Sequence, residues 1–123
     1  MASLNMGQSY PLTIEEIEKN IEPNRIGNYA YGYLNDKGSF IVKYVGRSDT
    51  NLQERIQHGI IDNSNNPNLR YERFKFSYAN SLKEAYEKEC RNYHDFGGDK
   101  GHLCNLHHPD SPDGLDLDCP FCK

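Results

Sequence analysis

Residues 31–58 read YGYLNDKGSFIVKYVGRSDTNLQERIQH, and this stretch decides the fold. Tyrosine alternates with small or apolar residues over 28–34, the two-residue period of a strand. Turn-forming residues follow at 35–38, and a β-branched and aromatic run occupies 40–45. The two runs therefore predict an antiparallel hairpin. The tyrosines on one face of its first strand are Tyr29, Tyr31 and Tyr33.

Helical and extended patterns continue on both sides of the hairpin. Thr13 and Glu16 form a capping-box pattern that predicts a short helix over about 13–21. Apolar residues at helical spacing begin a second helix at Leu52, and the polar stretch 62–68 predicts a surface loop. A third short strand is expected from Tyr71, Phe74, Phe76 and Tyr78, of which the last three alternate on one face. Then comes a helix over about 82–95, capped by Ser81 and stopped by Gly97-Gly98.

A chain of 123 residues suits one compact domain. The order of elements predicts an α/β (α+β) fold, with a small three-stranded, mostly antiparallel sheet flanked by helices. We divide the chain into an N-terminal capping helix at 1–24, a core at 25–105 and an acidic, cysteine-containing tail at 106–123.

The net charge of −4 is unusual for a protein that binds nucleic acid, because Lys and Arg contacts to phosphate usually supply most of the affinity. The charge is unevenly distributed, however. Residues 25–91 hold eleven basic and eight acidic residues, so this segment has an excess of positive charge. Phosphate contacts are therefore expected from the segment that carries the hairpin.

No stretch approaches the roughly 18 to 20 apolar residues that span a bilayer. The N-terminus also lacks the basic-then-apolar order of a signal peptide. We therefore expect a cytoplasmic protein without membrane contact, whose four cysteines are reduced and available to bind metal.

The hairpin and the helix after it resemble the signature of the GIY-YIG nuclease family. Tyr44-Val45-Gly46 corresponds to the second triplet, and Tyr31-Gly32-Tyr33 lies at the usual separation before it. Gly27-Asn28-Tyr29 matches the first triplet better but lies further away. Because the three tyrosines share a face, a hairpin shifted by two or four residues would still present one of them. The resemblance covers about residues 28–105 and implies a nuclease fold.

The resemblance also implies a set of catalytic residues. Arg55 follows Leu52 by three residues, as in the family, and would stabilise the phosphoryl group. Tyr33 is the expected general base, since nearby cations would lower its pKa. Tyr44 and His58 would position water or relay the proton; the family histidine more often lies four residues after the arginine.

The same resemblance places a metal-binding glutamate four residues after an alanine in a later helix. Ala85 and Glu89 fit this spacing, and Glu84 and Glu87 are the competing carboxylates. Glu89 would bind Mg²⁺ or Mn²⁺ through one bond while water and phosphate fill the remaining positions. The expected nucleic-acid contacts are Lys43, Arg47 and Asn105.

Cysteines near the C-terminus predict a second, structural metal. Cys119 and Cys122 have the C-x-x-C spacing that binds zinc, and Cys90 with His94 lie one turn apart on the last helix. Together they would form a Cys₃His site that attaches the tail to that helix. The rival ligands are His108, Cys104, His107 and His102.

We therefore predict a metal-dependent endonuclease acting on nucleic acid, with DNA the expected substrate. It is expected to be monomeric. Because no appended recognition domain is visible, its specificity is expected to be low, directed by nucleic-acid structure, or supplied by a partner protein. Two alternatives stay open. One is a non-catalytic nucleic-acid-binding module that keeps the fold. The other is a zinc-organised interaction module that uses the acidic tail.

Overall fold

The computed structural model describes residues 4, 6–96, 109, 111, 112, 117 and 119. The strands are β1 (Tyr10–Pro11), β2 (Gly27–Leu34), β3 (Phe40–Ser48) and β4 (Arg73–Tyr78). The helices are α1 (Ile14–Asn20), α2 (Leu52–Asn65) and α3 (Leu82–Asp95), with a 3-10 turn at Pro67–Leu69. In the part of the chain so described, no helix is long and apolar enough to cross a membrane.

All four strands form one sheet in the order β1-β4-β2-β3, and every neighbouring pair is antiparallel. The small α+β architecture with a flanked antiparallel sheet is confirmed, but the predicted number of three strands is wrong. The missed strand, β1, has only two residues and ends in proline, so it shows no alternation that a sequence pattern could reveal. β3 forms one edge of the sheet.

Asn35 builds the turn of the predicted hairpin. Its side-chain oxygen accepts hydrogen bonds from the backbone N–H groups of Lys37 at 2.9 Å and Ser39 at 3.0 Å. Gly38 completes the turn with a φ of +79°, a conformation in which a Cβ atom would be strained. This turn fixes which residues of β2 and β3 face each other.

A β-bulge shifts the register in the middle of the hairpin. Tyr31 faces Tyr44, whereas the next residue, Gly32, faces Val42, so Lys43 is the extra residue on β3. Beyond the bulge, Tyr29 faces Gly46. The bulge therefore decides which tyrosine lies beside the second sequence triplet.

The two faces of the sheet carry separate hydrophobic clusters. On one face Tyr29 and Tyr31 pack with Leu52 and Ile56 of α2, and Ile17 of α1 joins this cluster. On the other face Tyr93 of α3 joins the cluster that contains Ala30 and Val45. Helices α2 and α3 therefore cover opposite faces, because alternate residues of β2 and β3 point in opposite directions.

Each α-helix begins with the same type of cap. The residue before the helix accepts a hydrogen bond from the backbone N–H of a glutamate three positions later, as the sequence predicts at Thr13 and Ser81. Asn51 does the same for α2. The predicted loop at 62–68 is wrong in part, because α2 continues to Asn65 before the 3-10 turn. The last turn of α2 is polar and lies at the surface, so it lacks the apolar periodicity that would have predicted a helix there.

Candidate functional site

The rings of three tyrosines pack together on the α2 face of the sheet. The ring centroid of Tyr29 lies 5.0 Å from that of Tyr31 and 6.2 Å from that of Tyr44, and the Tyr31 and Tyr44 centroids are 5.7 Å apart. Tyr29 and Tyr31 are buried, whereas Tyr44 is only half-buried. Tyr44 also hydrogen bonds with Tyr29 through its side chain. The cluster thus holds two linked phenols, of which one reaches the surface.

Two glycines make room for these rings. A Cβ atom on Gly46 would lie 2.5 Å from both Cζ and the phenol oxygen of Tyr29. A Cβ atom on Gly59 of α2 would lie 2.5 Å from Cε1 of Tyr31. The close contacts explain why a strand and a helix carry glycine at these two positions, where the residue otherwise weakens both kinds of element.

Arg55 connects helix α2 to this cluster. Its guanidinium group acts as a hydrogen-bonding partner of the Tyr29 phenol, and the side chain is otherwise exposed to solvent. Burial raises the pKa of Tyr29 above its ordinary value, and Tyr44 adds to this effect, while Arg55 lowers the pKa in part. The guanidinium is therefore held by the phenol at the boundary between the protein and solvent.

Glu89 of α3 is a buried carboxylate that faces Arg47. The Arg47 guanidinium donates a hydrogen bond from Nη1 to Oε1 of Glu89 and another from Nε to Oδ1 of Asp49 at 2.9 Å. Arg47 also lies over the ring of Tyr86, 5.2 Å from its centroid. Arg47 therefore shares its charge between two carboxylates.

The environment of Glu89 is unfavourable for a negative charge despite this ion pair. Burial raises the pKa of Glu89 to about 7, and Arg47 counteracts this only in part. Asp49 raises the pKa further by repulsion between the two carboxylates, and Arg55 lowers it. A second cation close to Glu89 would consequently stabilise its ionised form.

Glu89 and the tyrosine cluster interact electrostatically although α2 and α3 cover opposite faces. The Glu89 charge raises the pKa of both Tyr29 and Tyr44, and Arg55 acts on all three groups. Arg47 and Gly46 are consecutive residues of β3, the edge strand. Side chains from the two helices therefore act on one another across the edge of the sheet. The group comprises two carboxylates, two phenols and two guanidinium groups: Glu89, Asp49, Tyr29, Tyr44, Arg47 and Arg55.

Tyr33, the expected general base, lies apart from this group. Its ring stacks beneath Arg70, whose Cζ atom is 3.7 Å from the ring centroid. The residue faces Ile41, on the far side of the bulge from Tyr44. The structure thus brings Tyr29 to the place that the sequence pattern predicted for Tyr33, because the turn at 35–39 and the bulge set a register in which Tyr29 faces Gly46 and Tyr33 faces Ile41.

The remaining predicted catalytic residues have different positions. Glu89 and Arg55 both influence the pKa of Tyr44, whereas His58 is exposed on α2. The position four residues after Arg55 is Gly59, where the Tyr31 ring occupies the space that a side chain would fill. Tyr31 donates a hydrogen bond from its hydroxyl group to the carbonyl of Ile56 at 3.0 Å. That interaction holds the ring against the helix.

The competing carboxylates lie in other surroundings. Glu84 helps to cap the N-terminus of α3, where its Oε1 accepts a hydrogen bond from the backbone N–H of Asn80 at 3.2 Å. Glu87 is half-buried, whereas Glu89 and Ala85 are both buried. Glu89 therefore lies on the buried side of α3 together with Ala85, the residue from which its position was counted.

The expected nucleic-acid contacts divide into three cases. Lys43 is half-buried and is the extra residue of the bulge on the edge strand. Arg47 is engaged by Glu89 and Asp49. Asn105 lies outside the described residues, as do the rival zinc ligands at 102, 104, 107 and 108. Sequence reasoning missed Asp49, which had no pattern to distinguish it from other loop residues.

Two of the predicted zinc ligands lie together. The thiol of Cys90, which is buried on α3, is a hydrogen-bonding partner of the Cys119 thiol. Burial and then Cys119 raise the pKa of Cys90 to about 12. His94 instead contacts the neighbouring ring of Tyr93, at 5.4 Å between centroids, and Cys122 lies outside the described residues. Within the described part of the chain, no three His, Cys, Asp or Glu side chains converge as a metal site.

Comparisons with protein-family models, with curated proteins and with solved structures gave no match to this chain.

Proposed function

We propose that this chain is a metal-dependent endonuclease related to the GIY-YIG family, and that its substrate is DNA. The observation that carries the proposal is the electrostatic coupling of Tyr29, Tyr44, Arg55 and Glu89, which two strands and two helices supply. Phosphodiester hydrolysis needs stabilisation of charge on the phosphoryl oxygens, a group that accepts a proton from water, and support for the leaving oxygen. The group of residues at the edge of the sheet contains chemistry suited to each task.

Glu89 is the residue that fits a divalent cation. Its carboxylate offers hard oxygen ligands, and its pKa of about 7 reflects a charge that Arg47 compensates incompletely. Mg²⁺ commonly keeps most of its waters and binds a protein through one or two carboxylates, so a single glutamate is sufficient. A Mg²⁺ or Mn²⁺ ion bound there would stabilise negative charge on the phosphoryl oxygens.

Arg55 and the two phenols supply the remaining functions. The exposed guanidinium of Arg55 would bind two phosphate oxygens with its planar pair of donors, held in place by Tyr29. Tyr29 would accept a proton from the attacking water, either directly or through Tyr44, which hydrogen bonds with it and is more accessible. This role requires positive charge near the phenols, because burial alone keeps them protonated.

The proposal is tested by digestion of single-stranded, duplex and branched DNA, and of RNA, with purified protein and Mg²⁺ or Mn²⁺. Wild type is expected to cleave, and Glu89→Gln and Arg55→Ala are each expected to lower the rate by about 100-fold or more. Glu87→Gln is the matched control, because it removes a half-buried carboxylate from the same helix. The proposal is wrong if wild type never cleaves, or if both site variants cleave as fast as the control.

A second function is supported by the Arg47–Glu89 ion pair. Since Arg47 already occupies one oxygen of Glu89, the chain would serve as a nucleic-acid-binding module if the pair persisted in the presence of metal. Binding would then weaken steeply with salt, but no cleavage would accompany it. Titration of labelled DNA at several salt concentrations, with and without Mg²⁺, separates this function from the first.

A further inference from the structure

Three residues lie side by side across the sheet, and each is bonded to helix α3. Asn28 of β2 faces Arg47 of β3 on one side and Ser77 of β4 on the other. Arg47 donates a hydrogen bond to the Glu89 carboxylate, and the Lys88 ammonium group donates one to Oγ of Ser77 at 2.8 Å. Asn28 occupies the middle of this polar row, where it bonds to the helix backbone instead of a side chain.

The hydrogen bond from Asn28 reaches the turn of α3 that carries Glu89. Its Nδ2 atom donates to the backbone carbonyl of Ala85 at 2.9 Å. In an α-helix the carbonyl of residue 85 also accepts from the backbone N–H of residue 89, so Asn28 bonds to the same oxygen that closes the Glu89 turn. Asn28 is also the residue before Tyr29. One buried amide therefore connects the helical turn of Glu89 to the strand of Tyr29.

Asn28 is an unfavourable residue for stability alone. Its side chain is fully buried, and no group of the described residues bonds to its Oδ1 atom. An unpaired buried acceptor lowers stability, whereas an apolar side chain of similar size would avoid that cost. The neighbouring positions on this face of the sheet, Ala30 and Val45, are apolar. A polar side chain at position 28 is therefore suited to placing α3 more than to stabilising the core.

We propose that Asn28 is a positioning residue, which fixes the turn 85–89 of α3 at the point along the sheet where Glu89 meets Arg47. The apolar contacts of α3 with this face are non-directional, so they tolerate small shifts of the helix that a hydrogen bond to its backbone prevents. The inference rests on the proposed function where it concerns the metal ion at Glu89. The placement of Glu89 against Arg47 does not require that function, and it is tested separately.

A double-mutant cycle in the metal-free protein tests the placement of Glu89. Asn28→Leu removes the amide but keeps a side chain of similar size, and Arg47→Met removes the partner of Glu89. Urea unfolding at about pH 8, with a chelator and a stabilising osmolyte that keeps every variant folded, gives the equilibrium constant for folding. Arg47→Met is expected to lower this constant by a factor at least about fivefold smaller in the Asn28→Leu background than in wild type. In a Glu89→Gln background the two substitutions are expected to be additive, because the ion pair is absent.

Mn²⁺ affinity tests the consequence for the proposed metal site. Asn28→Leu is expected to weaken Mn²⁺ binding, measured by electron paramagnetic resonance of the free ion, at least about tenfold, the usual effect of losing a group that orients a metal ligand. Val42→Ala is the matched control, because it removes apolar atoms from the cluster that α3 covers. This control is expected to lose stability and to bind Mn²⁺ as tightly as wild type.

The outcomes distinguish this inference from the proposed function. Additive effects of Asn28→Leu and Arg47→Met in the metal-free protein overturn the positioning role, whether or not the chain binds metal. Wild type that binds no Mn²⁺ contradicts the proposed metal site, and the cycle alone then decides the role of Asn28. Equal losses of Mn²⁺ affinity in Asn28→Leu and Val42→Ala also overturn the inference, because general loosening of the interface would then explain both.

Discussion

Tyr29 faces Gly46 directly across the β2–β3 pair, and the missing Cβ atom of Gly46 leaves the space in which the phenol lies. A Cβ atom there would stand 2.5 Å from the Tyr29 oxygen. The second triplet of the sequence therefore has a steric function in this structure. Its glycine allows the tyrosine of Gly27-Asn28-Tyr29 to reach Arg55 and Tyr44.

Gly46→Ala is predicted to destabilise the fold through this contact alone. We expect the free energy of unfolding to fall by about 1 to 3 kcal/mol, the usual cost of an overpacked core, and the Tyr29 ring to move away from Arg55. Urea unfolding measures the change. In a Tyr29→Ala background the same substitution is expected to cost much less, because the ring is absent. Equal costs in the two backgrounds would contradict the steric explanation.

Glu89 is predicted to make folding stability fall as the pH rises. A carboxyl group whose pKa is raised from 4.5 to about 7 binds its proton more tightly in the folded chain than in the unfolded chain. The free energy of unfolding therefore decreases between about pH 4.5 and pH 7 and is lowest above pH 7. Glu89→Gln removes this decrease, and we expect it to stabilise the metal-free protein at pH 8 by roughly 3 kcal/mol.

Urea titrations of wild type and Glu89→Gln at about pH 5 and pH 8, in the presence of a chelator, provide the measurement. Arg47 keeps Asp49 as a partner in the variant, so it is not left as an uncompensated charge. Lower stability of Glu89→Gln than of wild type at the higher pH would contradict the prediction. It would mean that the ion pair with Arg47 outweighs the cost of burying the Glu89 carboxylate.

Arg47 is predicted to be essential for the ionised form of Glu89. Arg47→Met removes the group that lowers the Glu89 pKa most, so the buried carboxylate loses its direct partner. We expect the free energy of unfolding to fall by about 3 to 5 kcal/mol at pH 8 and by much less at pH 5, where Glu89 is protonated in the folded state.

Asp49→Asn is the control. Asp49 is less buried, and its removal relieves repulsion, so its effect is expected to stay below about 1 kcal/mol. A pH-independent loss in Arg47→Met would contradict the electrostatic explanation.

Local patterns predicted much of the fold. The hairpin, the third long strand, the caps at Thr13 and Ser81, and helix α3 each have a signal within a few residues of sequence. The choice of Glu89 rested on its distance from Ala85, and the structure buries both residues. These features could be predicted because periodicity and capping involve residues that lie close together in the sequence.

Local sequence patterns could not predict the register of the hairpin. Three tyrosines at alternate positions satisfy the strand pattern equally, so the pattern could not distinguish Tyr29 from Tyr33. The turn around Asn35 and the extra residue Lys43 decide it, and both depend on pairing between strands. The Arg47–Glu89 ion pair was missed for a related reason, since 42 residues separate its members.

Tyr29 rather than Tyr33 is the tyrosine that we expect to serve the proposed cleavage reaction. The two residues lie on the same strand, but Tyr29 contacts Arg55 and Tyr33 lies beneath Arg70. The test measures the cleavage rates of Tyr29→Phe and Tyr33→Phe with Mg²⁺ on a DNA substrate that wild type cuts. Each variant loses one oxygen atom, so the two positions can be compared directly. We predict a decrease of about 100-fold or more for Tyr29→Phe, the usual contribution of a general base, and less than about twofold for Tyr33→Phe. A large decrease for Tyr33→Phe with an active Tyr29→Phe would contradict the assignment of Tyr29 as the base.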